Sequence, residues 1–310
     1  MRTNWKYSFK SALAINVQRI ISIASLWYFK YISQRKVTFV RRYGIGDVIM
    51  STYALSQFRN EHPETDISIV TNYKEVFDDT YHTTHKLSWT DFPVIWLMYE
   101  HYDFWIWRKT DRSIPHIISE FIGYKSHDNQ FQLSIHIDEK RHARFLENMV
   151  SNKKYIVIQP YASHWNSEKN WSTENWQQLI SRISNLGYQI YHLGLELDPL
   201  LSGVIDLRGR TSLEESFLLI KYSSFFLGVN SFGEQAAGAF SIPSIILYGP
   251  TNPVYSLNPG QTAIYADEKI DFERIGGLTY TFCQINQIRP EFVFNCLIEK
   301  LNLQPNHLNT

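Results

Sequence analysis

Three short clusters in this chain of 310 residues hold side chains that could do chemistry. The first is Tyr43-Gly44-Ile45-Gly46-Asp47-Val48-Ile49-Met50, which follows the β-branched run Val37–Arg41. A strand running into a tight turn and then a helix presents ligands at the strand's carboxyl end. Gly44 and Gly46 let the backbone come close to them. Asp47, at the start of the helix, reads in two ways. It is a helix cap, or it is a general base that takes a proton from a hydroxyl group. The motif alone leaves both open. It is not GxGxxG, and nothing acidic follows at the spacing of a dinucleotide ribose.

The second cluster is Gln159-Pro160-Tyr161-Ala162-Ser163-His164, then Glu168-Lys169-Asn170-Trp171. A polar loop after a strand, with a lysine before the next helix, suits a phosphate group: the lysine supplies a point charge and the Ser163 hydroxyl a hydrogen bond. The plain alternative is a solvated loop lysine. The third cluster runs Gly228-Val229-Asn230-Ser231-Phe232-Gly233-Glu234-Gln235-Ala236-Ala237-Gly238. Amide groups at such a helix start can bind an anion. Tight helix-to-sheet packing would need the same small residues.

No D-x-D triplet occurs to hold a metal and a diphosphate together, and His82 and His85 lack a carboxylate at ligand spacing. Cys283 and Cys296 are too few for a disulfide scaffold and form no zinc pattern, which suits a reducing cytoplasm. Apolar residues at 44% and charged residues at 19% exclude a disordered or fibrous chain. Lys+Arg and Asp+Glu balance at 30 each, so no overall basic field points to nucleic acid.

The balance hides an asymmetry. Residues 1–36 carry Arg2, Lys6, Lys10, Arg19, Lys30, Arg35 and Lys36 and no acidic residue, interleaved with Trp5, Phe9, Ile20, Ile21, Ile23, Leu26, Trp27, Tyr28 and Phe29. The uncharged run between Arg19 and Lys30 is shorter than the roughly 18–20 residues a spanning helix needs. No small-residue cleavage site follows, which argues against a secretory signal. Such a segment either lies on an anionic membrane surface or packs as an extra helix on the first domain.

The elements that must position these clusters alternate strand and helix, the pattern of parallel βαβ units. After the basic segment come a strand at Val37–Arg41, a helix to about Arg59, and a strand at Asp66–Thr71. Val94–Met98 and Tyr102–Trp107 are apolar runs of strand length, and Ile114–Ile122 reads as a helix. Residues 73–92 and 124–135 carry little pattern. A charged helical stretch over 138–153 precedes a fresh buried strand at Tyr155–Gln159, which places a domain boundary near residue 150. The second half gives a helix from Thr173 to Leu186 ended by Gly187, then strands at Tyr188–Leu193 and Val204–Leu207. A helix at Leu213–Lys221, a strand at Phe225–Val229, a helix at Gly233–Phe240 and a strand at Ile245–Tyr248 complete the series. Arg289-Pro290 opens a last helix to about Leu301, expected to cross back to the first domain. The organisation is thus a basic segment at 1–36, a Rossmann-like domain at 37–150 and a second at 151–310.

Taken in order, the clusters resemble glycosyltransferase family 9, the ADP-heptose:lipopolysaccharide heptosyltransferases, over about residues 37–255. The Gly-Asp-Val/Leu turn of that family is matched by Gly46-Asp47-Val48, its Lys-x-Trp by Lys169-Asn170-Trp171, and its Leu-Gly-x-Glu by Leu193-Gly194-Leu195-Glu196. Its Leu-x-Gly-x-Thr-Ser-Leu segment is matched by Leu207-Arg208-Gly209-Arg210-Thr211-Ser212-Leu213, and its Gly-Pro-Thr-x-Pro by Gly249-Pro250-Thr251-Asn252-Pro253.

The resemblance implies a GT-B fold: two Rossmann-like α/β domains facing across a cleft, the acceptor on the first and the nucleotide-sugar donor on the second. It implies inverting transfer without a metal or cofactor, with Asp47 as the base. Lys169 and the Ser163 region would contact the donor diphosphate, and Glu196 the nucleoside ribose. Asn230, Ser231, Gly233 and Gln235 stand where the family has Asp-Thr-Gly-x-x-His, so the donor-binding segment departs from the pattern and ADP-heptose does not follow automatically. The acceptor would be a lipid-linked or surface glycan such as lipopolysaccharide or capsule, and the enzyme would work at the inner face of the bacterial cytoplasmic membrane. A sugar-nucleotide epimerase of the same fold, or a non-catalytic nucleotide- or sugar-binding module, are the other readings.

Overall fold

A computed structural model describes residues 9–100, 112–125, 130–151, 153–162, 167–266 and 284–301. The expected strand at Tyr102–Trp107 and the side chain of Ser163 lie outside the described residues. The chain divides into two α/β units, at Phe131/Gln132.

Among the described residues, the first unit is built on a four-stranded parallel sheet in the order β3-β2-β1-β4. Its strands are β1 (Lys36–Val40), β2 (Asp66–Val70), β3 (His82–Thr84) and β4 (Val94–Trp96), with helices α1 (Phe9–Tyr31), α2 (Ile45–Glu61) and α3 (Ile114–Phe121). β1 runs through the middle, with Val40 opposite Val70 on one side and Trp96 on the other. Val37, Phe39, Ile67, Ile69 and Ile95 are buried. α2 lays Val48, Ile49, Leu55 and Phe58 on this core, where Phe58 meets the Phe39 ring edge-on at 4.9 Å. Strand β3 falls in the stretch that carried little pattern, because His82-Thr83-Thr84 at the sheet edge has no apolar alternation.

Of the two readings of the basic segment, packing on the first unit is realised by α1. Among the described residues, strand β4 is the sheet's edge: its inner side pairs with β1, and its outer amides need partners. Ser25 Oγ accepts from Val94 N at 3.1 Å and Ser22 Oγ from Trp96 N at 2.9 Å. Phe29 is buried beside Phe58, at 5.1 Å between rings. Two serines three residues apart on a helix lie on one face, which is how a short pattern in α1 closes a sheet edge. The opposite face carries Leu13, Val17, Ile20, Trp27 and Tyr31, all exposed. No helix among the described residues is long and apolar enough to cross a membrane.

Among the described residues, the second unit has a six-stranded parallel sheet in the order β10-β9-β8-β5-β6-β7. The strands are β5 (Tyr155–Gln159), β6 (Gln189–His192), β7 (Ile205–Asp206), β8 (Phe225–Val229), β9 (Ser244–Leu247) and β10 (Thr262–Ile264). The helices are α4 (Ala143–Met149), α5 (Thr173–Ile183), α6 (Leu213–Lys221), α7 (Phe232–Ala239) and α8 (Pro290–Lys300). β5 and β8 are buried along their whole length, as continuous apolar runs in a sheet covered on both faces must be. β10 extends the series past the strand at 244–247. The unit begins earlier than residue 150. The 139–149 stretch is tied to it by Lys221 and Tyr222 on Glu139 and by Tyr191 Oη donating to Met149 O at 2.8 Å.

Within the second unit, α8 packs against α5. Val293, Phe294, Leu297 and Ile298 join the core cluster around Trp171, Trp176 and Leu179. The indole of Trp171 donates to Ile288 O at 3.1 Å, so the tryptophan of the Lys-Asn-Trp motif anchors the loop that carries Lys169.

Candidate functional site

Two constellations stand at carboxyl ends of parallel strands, one in each unit. In the first, β1 ends at Val40 and α2 begins at Ile45. Gly44 has φ +72°, a left-handed conformation that glycine adopts without strain. It also allows a close approach: a Cβ on Gly44 would sit 2.3 Å from Asp47 Oδ2. Gly46 lies half-buried in the first turn of α2.

Asp47 is held by side chains. Arg41 Nη2 lies 2.9 Å from its Oδ2, and Tyr99 Oη donates to Oδ1 at 3.1 Å. Arg41 is shared: its Nη1 donates to Glu100 Oε1 at 2.7 Å and to Leu97 O at 3.2 Å. Tyr99 N donates to Glu100 Oε2 at 3.0 Å, and the Arg41 guanidinium lies over the Tyr99 ring at 4.8 Å. The Asp47 side chain keeps 26% of its surface exposed against 9% for Arg41. Burial raises the Asp47 carboxyl above its ordinary pKa, Arg41 opposes the shift, and Glu100 adds to it. Burial and the neighbouring Asp47 charge hold the Tyr99 phenol well above its ordinary value, so it stays a donor. A carboxylate oriented by two donors, raised in basicity and partly open to solvent can accept a proton from a substrate hydroxyl.

Arg41, Tyr99 and Glu100 carried no signal in the sequence. The first follows β1, the others follow β4, and only the adjacency of those strands brings them together. The one hint available was that the residues just past a strand in a parallel sheet are its ligand-facing positions.

The second constellation joins the Lys169 loop to the ends of β8 and β9. Lys169 Nζ donates to Asn230 Oδ1 at 2.6 Å. Asn230 Nδ2 donates to Glu234 Oε2 at 2.6 Å and to Ser256 Oγ at 2.9 Å. Tyr248 Oη donates to Glu234 Oε1 at 2.5 Å. Burial pushes the Glu234 carboxyl up to about 7, against the pull of Tyr248, Asn230 and Lys169. The Gly-Pro-Thr motif supports this arrangement sterically, because a Cβ on Gly249 would sit 2.5 Å from the carbonyl oxygen of Glu168, next to Lys169.

Ser231 Oγ and Gly233 N both donate to Gln159 Oε1, at 2.8 and 3.0 Å, so the start of α7 is latched to the end of β5. Gly233 leaves room there for the Phe226 ring, whose Cζ would lie 2.5 Å from a Cβ at this position. Phe232 sets its ring against Phe217 of α6 at 6.4 Å. Gln235 is buried and turned inward: it donates to Ser256 O at 3.0 Å and accepts from Asn258 Nδ2 at 3.1 Å. Its amide holds the 256–258 segment. Glu196 is exposed in the turn after β6, where a Cβ on Gly209 (φ +63°) would meet its Cβ at 2.9 Å. The Leu-Gly-x-Glu and Leu-x-Gly-x-Thr segments therefore touch, while Glu196 stays outside the Lys169 network.

The family model for glycosyltransferase family 9 (heptosyltransferase) matches residues 112–271. The chain belongs to glycosyltransferase family 9. Among curated relatives, lipopolysaccharide heptosyltransferase 1 of Salmonella typhimurium is 30% identical over 109 residues, 31% of this chain and 34% of the relative. Lipopolysaccharide heptosyltransferase 3 of Escherichia coli is 28% identical over 128 residues, 37% of each chain. The chain spans about a third of the length of these curated relatives. Two solved structures share its fold. A family 9 glycosyltransferase from Veillonella parvula superposes with a TM-score of 0.64 at 16% identity, covering 86% of this chain and 97% of that one. The E. coli ADP-heptose lipopolysaccharide heptosyltransferase II gives 0.63 at 16%, covering 86% and 98%. Asp47 precedes the span of the family 9 model, whereas Lys169, Glu196 and Asn230 fall within it.

Proposed function

We propose that the protein is an inverting, metal-independent glycosyltransferase. It moves a heptose or another hexose-type sugar from a nucleoside-diphosphate donor to a lipid-linked or surface glycan. The observation that carries this reading is Asp47: two side chains aim its carboxylate, and the glycine turn leaves part of it open. The acceptor hydroxyl attacks the anomeric carbon on the face opposite the diphosphate. Its proton passes to Asp47, and the bond from the anomeric carbon to the phosphate oxygen breaks. Lys169 holds the departing diphosphate, where a preformed charge lowers the barrier most. Ser163, Ser231 and Gly233 border that donor site in this reading, and Glu196 meets the ribose. The test is transfer from a panel of nucleotide sugars, ADP-heptose included, to a delipidated and an intact lipopolysaccharide core. Donor turnover with inversion supports the reading, and a protein that binds the nucleotides but turns none over refutes it.

The acceptor reading extends to a membrane surface. The outward face of α1 is apolar, with Trp27 and Tyr31 toward one end and Lys30 beside them, and residues 1–36 hold no acid. Such a face lies in the headgroup region of an anionic bilayer, each nearby cation adding ~1 kcal/mol. Deleting α1 would uncover the β4 edge, so the test is Ile20→Glu with Trp27→Glu in the full chain. Wild-type protein should co-sediment with anionic phosphatidylglycerol vesicles at low salt and release at high salt. Equal binding by the double variant, or none by the wild type, would sink the membrane reading.

A further inference from the structure

Glu234 is a fully buried carboxylate that the proposed transfer step leaves unused. It does not touch Lys169. The amide of Asn230 stands between them, giving its oxygen to the lysine at 2.6 Å and its nitrogen to the carboxylate at 2.6 Å. An aspartate at 230 could not do this. It has no hydrogen to donate, and it would set two carboxylates at hydrogen-bond distance, where both cannot ionise cheaply. Asn230 and Glu234 therefore make sense as a pair. The amide passes the hold of the carboxylate on to the lysine while keeping the negative charge one layer back.

We propose that Glu234 is a positioning residue of the donor diphosphate site: through Asn230 it aims Lys169 and sets how much of the lysine's charge is left for a nucleoside diphosphate. This rests on the reading of Lys169 as a diphosphate ligand. The charged and titratable groups that face Glu234 are Lys169, from the loop after β5, and Tyr248, from the end of β9; Asn230 and Ser256 complete its shell. With its carboxyl pushed up to about 7 by burial, Glu234 exchanges a proton near neutral pH. A diphosphate on Lys169 brings further negative charge and favours the protonated form. Binding should then take up a proton.

The experiment is isothermal calorimetry of ADP binding to the full chain at pH 6 and 8, and at pH 7 in buffers of different ionisation enthalpy. Wild type is compared with Glu234→Gln and Lys169→Ala. ADP's own phosphate titrates identically in every case and cancels. The glutamine variant keeps an acceptor for Asn230 and loses the charge. It should lose the extra proton uptake, match wild type at pH 6, and bind ADP about fivefold more tightly at pH 8, the scale for two charges just beyond contact in a partly wet site. If Glu234→Gln shows wild-type proton uptake and the same affinity ratio between pH 6 and 8, the proposal is overturned. If Lys169→Ala binds ADP as wild type does, the assignment of Lys169 itself fails, which is a separate result. Should Glu234→Gln not fold, Tyr248→Phe removes a hydrogen bond that favours the charged carboxylate, and proton uptake should peak at higher pH. An unmoved peak overturns the proposal as well.

Discussion

Asp47 in the first unit and Glu234 in the second are both carboxylates tied to a cation at the end of a parallel sheet, and they are built in opposite ways. Asp47 touches Arg41 directly, but Arg41 is divided with Glu100, and about a quarter of the Asp47 side chain is open. Glu234 is sealed, bonded by Tyr248 and Asn230, and reaches Lys169 only through a neutral amide. In the proposed transfer the carboxylate is the working group of the first site, and there its cation is diluted by a second acid and the carboxylate stays partly exposed. In the same proposal the cation is the working group of the second site, and there the acid is withdrawn behind it. Counting charges would call the two sites alike; the order in which the groups meet makes one suited to taking a proton and the other to holding an anion.

The sharpest way to break this comparison is Asp47→Asn. It keeps the size of the side chain and its acceptor for Tyr99 while removing the base. Transfer should fall by roughly 10²–10⁴-fold, the range for a lost general base, with ADP affinity within a few-fold of wild type. Near-normal turnover would return Asp47 to an ordinary residue of a helix start.

Next in size is the stability cost of the sealed acid. Glu234 has its folded pKa raised from 4.5 to about 7. A raised value means the contribution is fully present below 4.5 and is lost as pH climbs through about 7. Denaturant unfolding of the wild type should therefore weaken by about 3 kcal/mol between pH 4.5 and 7.5 relative to Glu234→Gln, the linkage expected of a shift that large. Parallel stability profiles for the two proteins would show that Glu234 is not held neutral by the fold.

Lys169→Ala should weaken ADP binding by ~1.5–3 kcal/mol, the scale of a hydrogen bond to a charged group. An unchanged calorimetric affinity would make it a structural lysine that braces Asn230. The smallest expected effect sharpens the first site. Glu100→Gln removes a negative charge that raises Asp47, so the acid limb of the pH–rate profile should move to lower pH, with a few-fold loss of turnover on the plateau. An acid limb that stays put would mean that Glu100 only braces Arg41.

Much of the fold was legible before any coordinates. Tyr155–Gln159 and Phe225–Val229 read as buried strands because a parallel sheet covered on both faces demands unbroken apolar runs. The helix read at 213–221 is present, and the structure closes its start with a reciprocal capping box between Ser212 and Glu215. The short strands His82–Thr84 and Thr262–Ile264 were not legible, since three edge residues are too few to show a period. Gln235 was misleading. It stands where a donor ligand is expected in the family pattern, yet its amide is spent on Ser256 and Asn258 inside the protein.

What the sequence determined by itself is what acts within a few residues: the Gly44 turn that admits Asp47, the alternation of strand and helix, the motifs in family order, and the acid-free first 36 residues. The tertiary structure alone decided which strand ends are neighbours. Placing β4 beside β1 delivers Tyr99 and Glu100 to Asp47, more than 50 residues away along the chain. Placing β8 between β5 and β9 gathers Lys169, Asn230, Glu234 and Tyr248 into one network. It also decided that α1 spends one face on the β4 edge and leaves the other free. The physical reason is that propensity, capping and periodicity are local, whereas strand order is set by the burial that crossover helices achieve between segments far apart in the chain.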